Sequence, residues 1–497
     1  MKPKQILLAL SLMFFSGFSQ GYATPSDAAD HTIIEESHVA HAVDESHGGH
    51  DSHDDHSPHP LAVLPFVLLL GMIATGPLFY EHFWHKRYPL VAIVLGTIVV
   101  VYYVFLLKNT HAPIHALFEY MSFIALVGSL FVVSGGILIE ADLESKPMIN
   151  VGLLVFGAVL ANVIGTTGAS MLLIRPFIRL NKTRIKPFHI VFFIFIVSNV
   201  GGSLTPIGDP PLFLGFLKGV PFFWTLQHAA PYWAFAVIML SAIFYVLDTR
   251  SLRNEPTNTP DSNVANRIQL SGSHNILFLA LICGFVFLDP NVIEMPSWAY
   301  ISYDGGKMSY LREVLMLITL LVGYKLSSKD ALQGNEFTFE PIREVAFLFI
   351  GIFATMMPAL DLIRGFAQSE TGAKLITTDT LYWGTGLFSG ILDNAPTYLN
   401  FLSAGMGKYG LNIADKADVL VFLAKPEPML LAISIASVFF GAMSYIGNAP
   451  NFMVKSIAEQ NGVKMPSFMG YIIRYSLVYL LPVLILTHFL LKLLTGL

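Results

Sequence analysis

Long apolar runs fill the chain from Leu61 onward and restrict it to one class of fold. Most continue for about 17 to 25 residues before a short polar turn, the length that crosses a hydrocarbon layer as a helix. Lipid offers no partners to backbone amides, so such segments must form helices. Only 13% of the 497 residues are charged, about half the fraction in soluble domains. We therefore expect an all-α polytopic membrane protein and exclude a soluble enzyme, a nucleic-acid-binding protein and a disulfide-rich scaffold.

Two kinds of apolar segment can be distinguished. The predicted full spans are ten in number, at 61–80, 89–107, 115–139, 188–217, 224–247, 274–290, 309–325, 342–360, 428–455 and 468–492. Two further stretches, 149–180 and 379–407, are interrupted at their middles by polar residues or by glycine and proline. The chain can be threaded through a membrane only if each of these two returns to the face it started from. Each is therefore predicted to be a re-entrant hairpin, whose tip must be buried in protein or face a wet cavity.

The distribution of basic residues orients this threading. The loops predicted to be cytoplasmic are 81–88, 140–148, 181–187, 248–273, 326–341 and 456–467. On or beside them lie 17 Lys and Arg residues, against 10 at the other face. This bias has the sign of the positive-inside rule. It predicts a multi-pass protein of a bacterial-type inner (plasma) membrane, with its N-terminal segment in the periplasm or outside the cell.

The first 23 residues have the pattern of a secretory signal. Lys2 and Lys4 precede an apolar stretch that ends near Phe18, and small residues follow at Gly21 and Ala23. This pattern predicts cleavage near Ala23, with an uncleaved anchor as the alternative. Under either interpretation the segment that follows lies outside the cytoplasm.

Residues 24–60 form a tail rich in histidine and acid. They hold eight of the 16 histidines, nine acidic residues and no Lys or Arg, so they carry the acidic excess behind the net charge of −5. Such a composition cannot bury a core, which predicts disorder. The histidines that recur every third residue are His47, His50, His53, His56 and His59. Because His and Asp bind zinc, nickel or copper, we predict a metal-capturing tail; the alternative is a solvated tail that buffers or senses external pH.

An internal repeat relates two halves of the body. Residues 203–213, SLTPIGDPPLF, align without gaps with 442–452, AMSYIGNAPNF, 239 positions further on, so that Asp209 faces Asn448. The hairpin tips share an asparagine, Asn162 and Asn394, at the similar offset of 232. By the threading, the two halves have opposite orientations. Inverted repeats with broken helices are typical of secondary transporters, whose substrate sites lie at the repeat interface.

The predicted organisation follows from the repeat. It comprises the signal 1–23, the tail 24–60, two N-terminal spans in 61–107, repeat 1 in 115–247 (hairpin 149–180, broken helix 188–217), a cytoplasmic linker 248–273, two connecting spans in 274–325, and repeat 2 in 342–492 (hairpin 379–407, broken helix 428–455).

The interruption at 205–211 has a chemical use. A broken helix presents carbonyls at one half-helix end and amides at the other, which can hold a cation and an anion. Pro206, Pro210 and Pro211 remove backbone donors, while Gly208 permits an unusual turn. Two such breaks, each beside a polar hairpin tip, predict two ion sites. The alternative is a pair of proline-kinked helices with packed hydroxyl groups.

Two acids lie within the predicted membrane region. Asp209 is in the first break and Asp393 at the second hairpin tip, where a carboxylate is costly unless it is paired, protonated or bound to a cation. A carboxylate that exchanges a proton for a metal ion would couple the two fluxes, whereas the structural alternative is an Asp that caps a half-helix. Arg175 and Arg179 are expected to snorkel to the cytoplasmic face. Other polar residues near span ends receive no transport role: Glu140, Asp142, Asp361, His189, His228 and His274.

The segment 198–211, SNVGGSLTPIGDPP, resembles the signature of the ion transporter superfamily. That group includes NhaD-type sodium/proton antiporters, citrate transporters (CitMHS-like), arsenite pumps and divalent-anion/sodium symporters. The resemblance covers 61–492 and implies two inverted repeats, often in a dimer, with an elevator-like movement. At the first hairpin and break it implies the ion- or substrate-binding residues Asn162, Thr166, Thr167, Asn199, Thr205, Gly208 and Asp209. At the second it implies Asp393, Asn394, Thr397, Ser444, Gly447 and Asn448.

Three functions are compatible with these residues. The first is exchange of sodium or lithium for protons by alternating access, because Asp393 would repel a carboxylate substrate and no Lys or Arg stands beside either predicted site. The second is transport of a citrate-like organic anion or metal–citrate complex, with cations covering Asp209 and Asp393. The third is a metal-sensing membrane receptor in which the tail is the working part.

An enzymatic function has little support in the sequence. Cys283 lies in an apolar span with no patterned histidine partner, which predicts a packed core thiol. No phosphate-binding loop, serine-nucleophile motif or zinc-protease helix occurs, so we predict no cofactor, and an ion gradient must drive any uphill flux. The expected partners are membrane lipid and small ions or a small carboxylate.

Overall fold

The computed structural model of this protein describes residues 58–142, 144–253, 267–290, 293–303, 306–425 and 428–496. The predicted signal and nearly all of the tail lie outside these residues, including His47, His50, His53 and His56. Within the described residues, seven helices are long and apolar enough to cross a membrane, and three shorter apolar helices accompany them. The prediction of an all-α polytopic membrane protein is confirmed.

Each predicted span corresponds to a helix or a broken helix. The N-terminal part contains Pro60–Val63 (3-10), Leu64–Phe79, Glu81–Val101, Tyr102–Leu106 (π) and His111–Gly135. The first repeat continues with Pro147–Leu180, Pro187–Ile196, Val200–Gly202 (3-10), Pro210–Leu217 and Trp224–Arg253. The connecting helices are His274–Phe285, Ser297–Ala299 (3-10), Leu311–Leu326 and Lys329–Gly334. The second repeat contains Glu340–Gln368, Glu370–Leu375, Thr378–Ser389, Asn394–Gly407, Lys416–Leu423, Met429–Phe440, Gly441–Met443 (3-10), Ala449–Gln460, Phe468–Tyr471, Ile472–Leu480 (π) and Leu481–Thr495.

The segment Pro147–Leu180, the first hairpin, folds back on itself. A straight helix of this length would extend about 50 Å, yet the side chains of Asn150 and Asn181 near its two ends exchange hydrogen bonds of 2.8 Å. The reversal occurs at Gly165, whose φ of 79° and ψ of 154° are not helical. Glycine is required there because other residues rarely adopt a positive φ.

The second hairpin consists of Thr378–Ser389 and Asn394–Gly407, joined by a short turn. Its two arms pack together: a Cβ added at Gly384 would meet the ring of Phe401 in the other arm. Asp393 ends the turn and caps the second arm, because its carboxylate accepts a hydrogen bond of 3.0 Å from the amide of Ala395.

The two broken helices share one backbone construction. In the first break a Cβ on Gly208 would overlap the carbonyl of Gly202, and in the second a Cβ on Gly447 would overlap that of Gly441. Both pairs are related by the offset of 239 found in the sequence repeat. The aligned Asp209 and Asn448 also have nearly equal backbone angles, φ −141° and ψ 144° against φ −154° and ψ 141°. The repeat therefore extends to the course of the chain.

The first halves of the broken helices lie at the centre of the protein. Pro187–Ile196 and Met429–Phe440 are buried almost around their whole circumference. Both segments are predominantly apolar, the pattern of a helix surrounded by protein or lipid. Most residues of the breaks that follow them are also buried.

The predicted loop at 81–88 is wrong, because these residues form the first turns of Glu81–Val101. The charged side chains of this stretch face outward and give it the composition of a loop. Trp84 and Tyr88, however, are buried and pack with Leu348 from the second repeat. Met72 and Ile73 of the preceding helix, Leu64–Phe79, pack against the same cluster.

The interpretation of Glu140 and Asp142 as span-end residues also needs correction. Both lie in a strand, Leu138–Asp142, which pairs antiparallel with Arg267–Ser271 in the predicted linker. A second strand pair, Tyr300–Tyr303 with Gly306–Ser309, closes a small hairpin. These strands are not evident from the sequence, because the first pair joins segments more than a hundred residues apart and the elements are only four or five residues long.

Several loops predicted to be cytoplasmic contact one another. Besides the strand pair, Ser145 donates to the side chain of Asn181 over 2.7 Å, and Arg179 donates to the carbonyl of Gly334 over 3.2 Å. Loops 140–148, 181–187, 248–273 and 326–341 therefore share one end of the bundle. Arg175 does not snorkel as predicted: it is 6% exposed and pairs with Glu336 over 3.1 Å.

Candidate ion-binding site

The carboxylate of Asp209 is the point where all four interrupted elements meet. Asp209 is 1% exposed. Its Oδ1 accepts hydrogen bonds from Thr166 Oγ1 of the first hairpin at 2.7 Å and from Asn448 Nδ2 of the second break at 2.9 Å. Its Oδ2 accepts one from Asn394 Nδ2 of the second hairpin at 2.6 Å. Residues assigned by resemblance to two sites thus surround a single carboxylate.

In the described part of the chain, the groups that donate hydrogen bonds to Asp209 are all uncharged. Its three donors, Thr166, Asn394 and Asn448, are all neutral. Burying an ionised carboxylate without a counter-charge is costly even when it is hydrogen-bonded. The site is therefore chemically suited to take up either a proton or a cation.

Asn448 connects Asp209 to the other end of the first break. Its Nδ2 lies 3.1 Å from the carbonyl oxygen of Ser198 and 3.2 Å from Oδ1 of Asn199. Asn199 in turn donates to Oδ1 of Asn451 over 2.7 Å. Asn199 and Asn448 were expected at the site, whereas Ser198 and Asn451 were not. In the repeat alignment Asn451 is aligned with Leu212. A polar residue at a position that is apolar in the other repeat was the feature of the sequence that could have identified Asn451.

Asn162 and Thr205 join the first hairpin tip to the first break. Asn162 Nδ2 donates to the carbonyl of Gly201 over 2.7 Å, and its Oδ1 accepts from the amide of Leu204 over 2.8 Å. Thr205 Oγ1 donates to the backbone oxygen of Asn162 over 2.6 Å. Their polar side-chain atoms are engaged here and make no hydrogen bond to Asp209.

The two predicted acids have different environments. Asp393 is partly buried and caps the second hairpin arm, while Thr397 donates to its backbone oxygen over 2.8 Å. Asp209 also precedes a helix, Pro210–Leu217, but its side chain makes no capping hydrogen bond to that helix. The capping alternative therefore describes Asp393 and does not describe Asp209.

The remaining predicted residues shape the breaks. Gly208 accepts a backbone hydrogen bond of 2.8 Å from Thr166, which fixes the hairpin tip against the first break. Ser444 Oγ accepts from the amide of Gly447 over 3.2 Å and closes the turn of the second break. Thr167 lines a cavity of about 30 Å³ beside Asp209. Other lining residues include Leu126, Leu130, Thr166, Pro206, Ile207 and Phe213. This volume suffices for a water-sized occupant.

A second buried polar cluster, not predicted from the sequence, surrounds Asp248. Asp248 is completely buried and pairs with Arg184, and it accepts hydrogen bonds from His189 Nε2 at 3.0 Å and Asn150 Nδ2 at 2.8 Å. These contacts join the base of the first hairpin to Trp224–Arg253. In the second repeat Asp379, 48% exposed, accepts from His488 and Lys492, each at 2.9 Å. Each hairpin base is therefore bonded to the last span of its own repeat.

Other residues to which the sequence assigned no role make individual hydrogen bonds away from Asp209. His228 contacts the carbonyl of Trp224, and His274 that of Leu326. Asp361 accepts from Tyr103 over 2.8 Å in the interior of Glu340–Gln368, and not at a span end as predicted. Cys283 is partly exposed and donates to the carbonyl of Val163 over 3.1 Å, so it is less buried than a core thiol.

His59 is the one histidine of the periodic tail series within the described residues. Its Nδ1 accepts from the amide of Leu61 over 3.2 Å and caps Pro60–Val63. Among the residues that the structure describes, no group of three or more metal-ligating side chains comes together. The predicted metal site on the tail concerns residues outside that part of the chain.

Residues 56–492 match the family described as "Putative citrate transport". The chain belongs to this family. Among relatives, an uncharacterized transporter of Mycobacterium tuberculosis is 22% identical over 398 residues, which is 79% of this chain and 83% of the relative. A second uncharacterized transporter of that species is 23% identical over 409 residues, 80% and 84% of the two chains. A 46 kDa membrane protein of Mycobacterium leprae is 24% identical over 273 residues, 53% and 58%.

This member of the citrate-transport family is a multi-pass membrane transporter. The family match spans the hairpins and broken helices, and the tuberculosis relatives are named as transporters. The resemblance based on residues 198–211 therefore agrees with the family, and the residues around Asp209 lie inside the matched region.

Proposed function

We propose that this transporter exchanges sodium or lithium for protons at Asp209 by alternating access. The observation that carries the proposal is a buried carboxylate that accepts hydrogen bonds from Thr166, Asn394 and Asn448, all neutral. Intramembrane carboxylates of this kind are costly and characteristic of ion and proton pathways. Loss of the proton leaves a charge that a cation can neutralise, so the two ions compete for one group.

The arrangement of the hairpins supports alternating access. Thr166 and Asn394 approach Asp209 from hairpins that belong to different repeats. If the repeats are inverted, as the threading predicts, each hairpin covers the site from one face of the membrane. Movement of one repeat against the other would then open the site to one side at a time.

The size of the space beside Asp209 favours a small substrate. The cavity there has a volume of about 30 Å³ and is walled by Leu126, Leu130 and Phe213 on its apolar side. It can hold a water molecule or a dehydrated alkali cation. A tricarboxylate would need both a larger space and positive partners.

Everted membrane vesicles containing the protein and an acridine pH probe test this proposal. Addition of sodium or lithium should release protons and dequench the probe in wild type. Asp209→Asn should abolish the signal, since the amide cannot exchange a proton for a cation. Asp393→Asn should retain most of it, because Asn caps a helix as well as Asp does.

A matched control uses another cap. Asp415 caps Lys416–Leu423 through the amide of Ala417 at 2.8 Å, outside the site. Asp415→Asn should give the same signal as wild type. A silent wild type, or full dequenching in Asp209→Asn, would overturn the proposal.

Transport of a citrate-like anion or metal–citrate complex is the second candidate. The family description supports it, and so does Arg175 in the first hairpin. In the described part of the chain, the Nε and Nη1 atoms of this guanidinium are buried without hydrogen-bond partners. This candidate would be established instead by three results together. Wild-type vesicles would take up labelled citrate, Arg175→Met would lose this uptake, and sodium would not dequench the probe.

The proposal includes a location and partners for the chain. We place it in a bacterial-type inner membrane among lipids, with residues 24–60 on the outer side, where they would bind zinc or nickel. A homodimer is implied by the family resemblance. Deleting 24–60 should leave exchange intact, whereas a metal-sensing receptor that relies on the tail would lose its function.

A further inference from the structure

The side-chain nitrogen of Asn448 lies among three oxygen atoms. Its distances are 2.9 Å to Oδ1 of Asp209, 3.1 Å to the carbonyl oxygen of Ser198 and 3.2 Å to Oδ1 of Asn199. An amide nitrogen carries two hydrogens, so it cannot serve three acceptors with good geometry. Three acceptor oxygens therefore surround an amide group that can donate only two hydrogen bonds.

The surroundings of these oxygens favour positive charge. Asp209, Ser198, Asn199 and Asn448 are all buried, so water does not screen the carboxylate. Ser198 follows the C-terminal end of Pro187–Ile196, where the aligned peptide dipoles leave a partial negative charge. Carboxylate and carbonyl oxygens are also the ligands preferred by hard cations.

We propose that the transported cation occupies the position now held by Nδ2 of Asn448, with Asp209 Oδ1, Asn199 Oδ1 and the carbonyl of Ser198 as ligands. This proposal rests on the proposed function for the statement that the cargo is a cation. We refer to the three ligand oxygens, from Asp209, Asn199 and Ser198, as the oxygen cage. Asn448 acts as a placeholder, because its side-chain amide occupies the oxygen cage when the cation is absent.

Entry of the cation then has a mechanical consequence. Asn448 belongs to the second break and the oxygen cage to the first. Displacing its amide breaks the hydrogen bond to Asp209, which joins the two repeats. Cation binding and release of this inter-repeat contact become one event.

Asn394, which also contacts Asp209, is a candidate for an additional ligand. Its Nδ2 donates to Asp209 over 2.6 Å, and its Oδ1 is buried with no hydrogen-bond partner among the described residues. A buried amide oxygen without a donor is unfavourable. Rotation of this amide would turn the oxygen toward the carboxylate and supply a further ligand once a cation is present.

Equilibrium binding of radioactive sodium to the purified full-length protein tests the placeholder. Asn448→Ala removes the competing amide and leaves the oxygen cage, so sodium should bind more tightly. Asn199→Leu removes a cage oxygen and should weaken binding about tenfold or more. A purely structural Asn448 would change binding in the same direction as Asn199→Leu.

The control is Asn400→Ala in the second hairpin. Asn400 is also buried, but its amide donates only to the carbonyl of Pro396 within the same helix, so sodium binding should be unchanged. If Asn448→Ala is not monodisperse in size-exclusion chromatography, Asn448→Ser takes its place. Weaker sodium binding in the Asn448 variant, or unchanged binding in Asn199→Leu, would overturn the placeholder.

The vesicle assay separates this inference from the proposed function. If wild-type vesicles exchange sodium for protons but the Asn448 and Asn199 variants do not change sodium binding as expected, the oxygen cage is refuted and antiport is retained. If the variants change sodium binding as expected but wild-type vesicles show no exchange, antiport is refuted and the oxygen cage is retained.

Discussion

Asn448 donates a hydrogen bond of 2.9 Å to Asp209, although the two residues occupy equivalent positions in the two repeats. Residues related by a two-fold axis can touch only close to that axis, so the axis predicted between the two repeats would pass close to Asp209. The pair carries one carboxylate where strict symmetry would give two. Two carboxylates at this distance would repel strongly in a buried site, and the Asn removes that conflict.

Thr166 is expected to stabilise the ionised form of the site. Thr166→Val removes the 2.7 Å hydrogen bond to Asp209, and hydrogen bonds to charged groups contribute about 1.5–3 kcal/mol. We expect sodium-driven exchange to slow about tenfold or more in everted vesicles. Thr166→Ser, which keeps the hydroxyl, should stay close to wild type. Equal rates in the two variants would contradict this assignment.

The glycine pairs in the breaks should not tolerate a side chain. Gly208→Ala and Gly447→Ala each place a Cβ against the backbone of a second glycine, and overpacking costs about 1–3 kcal/mol or more. Both variants should lower the thermal unfolding midpoint of the purified protein. Gly152→Ala is the control, since nothing lies near its Cβ position in the first hairpin. A midpoint unchanged from this control would contradict the close approach.

Asp248 and Asp379 should differ in their contribution to stability although both pair with a histidine and a cation. Asp248→Asn leaves Arg184 buried without its carboxylate, at an expected cost of about 3–5 kcal/mol. Asp379→Asn affects a partly exposed pair with Lys492, at less than about 1 kcal/mol. Thermal unfolding of both variants checks the order. Similar midpoints would show that burial does not decide their effects.

The lone cysteine permits a test of movement at the first hairpin tip. Cys283 lies on His274–Phe285 and its Sγ is 3.1 Å from the carbonyl of Val163. Val163→Cys should form a disulfide with it under mild oxidation, detectable by mass spectrometry of peptides. The cross-link should arrest exchange, and a reductant should restore it. Full exchange in the cross-linked protein would show that the tip does not separate from this helix during transport.

Particular residues show where sequence reasoning succeeds. The aligned segments around Asp209 and Asn448 predicted two breaks, because Pro and Gly at matched positions weaken a continuous helix. Gly165 permitted the reversal at the predicted first hairpin tip. The prediction of a loop at 81–88 failed because part of the packing around Trp84 and Tyr88 comes from Leu348, which is far away in the chain. The strand at 138–142 failed for the same reason, since its partner is 267–271.

The sequence by itself determined the membrane class, the two hairpins, the two breaks and the acid in the first break. These properties follow from local hydropathy and from backbone restrictions that each residue carries wherever it lies. Only the tertiary structure decided that the two predicted sites surround one carboxylate, that Asp393 is a cap, and that Ser198 and Asn451 belong to the polar network around Asp209. Those facts depend on which distant side chains meet at Asp209. The packing of the two hairpins and the two breaks decides this, and no single segment of the sequence contains that information.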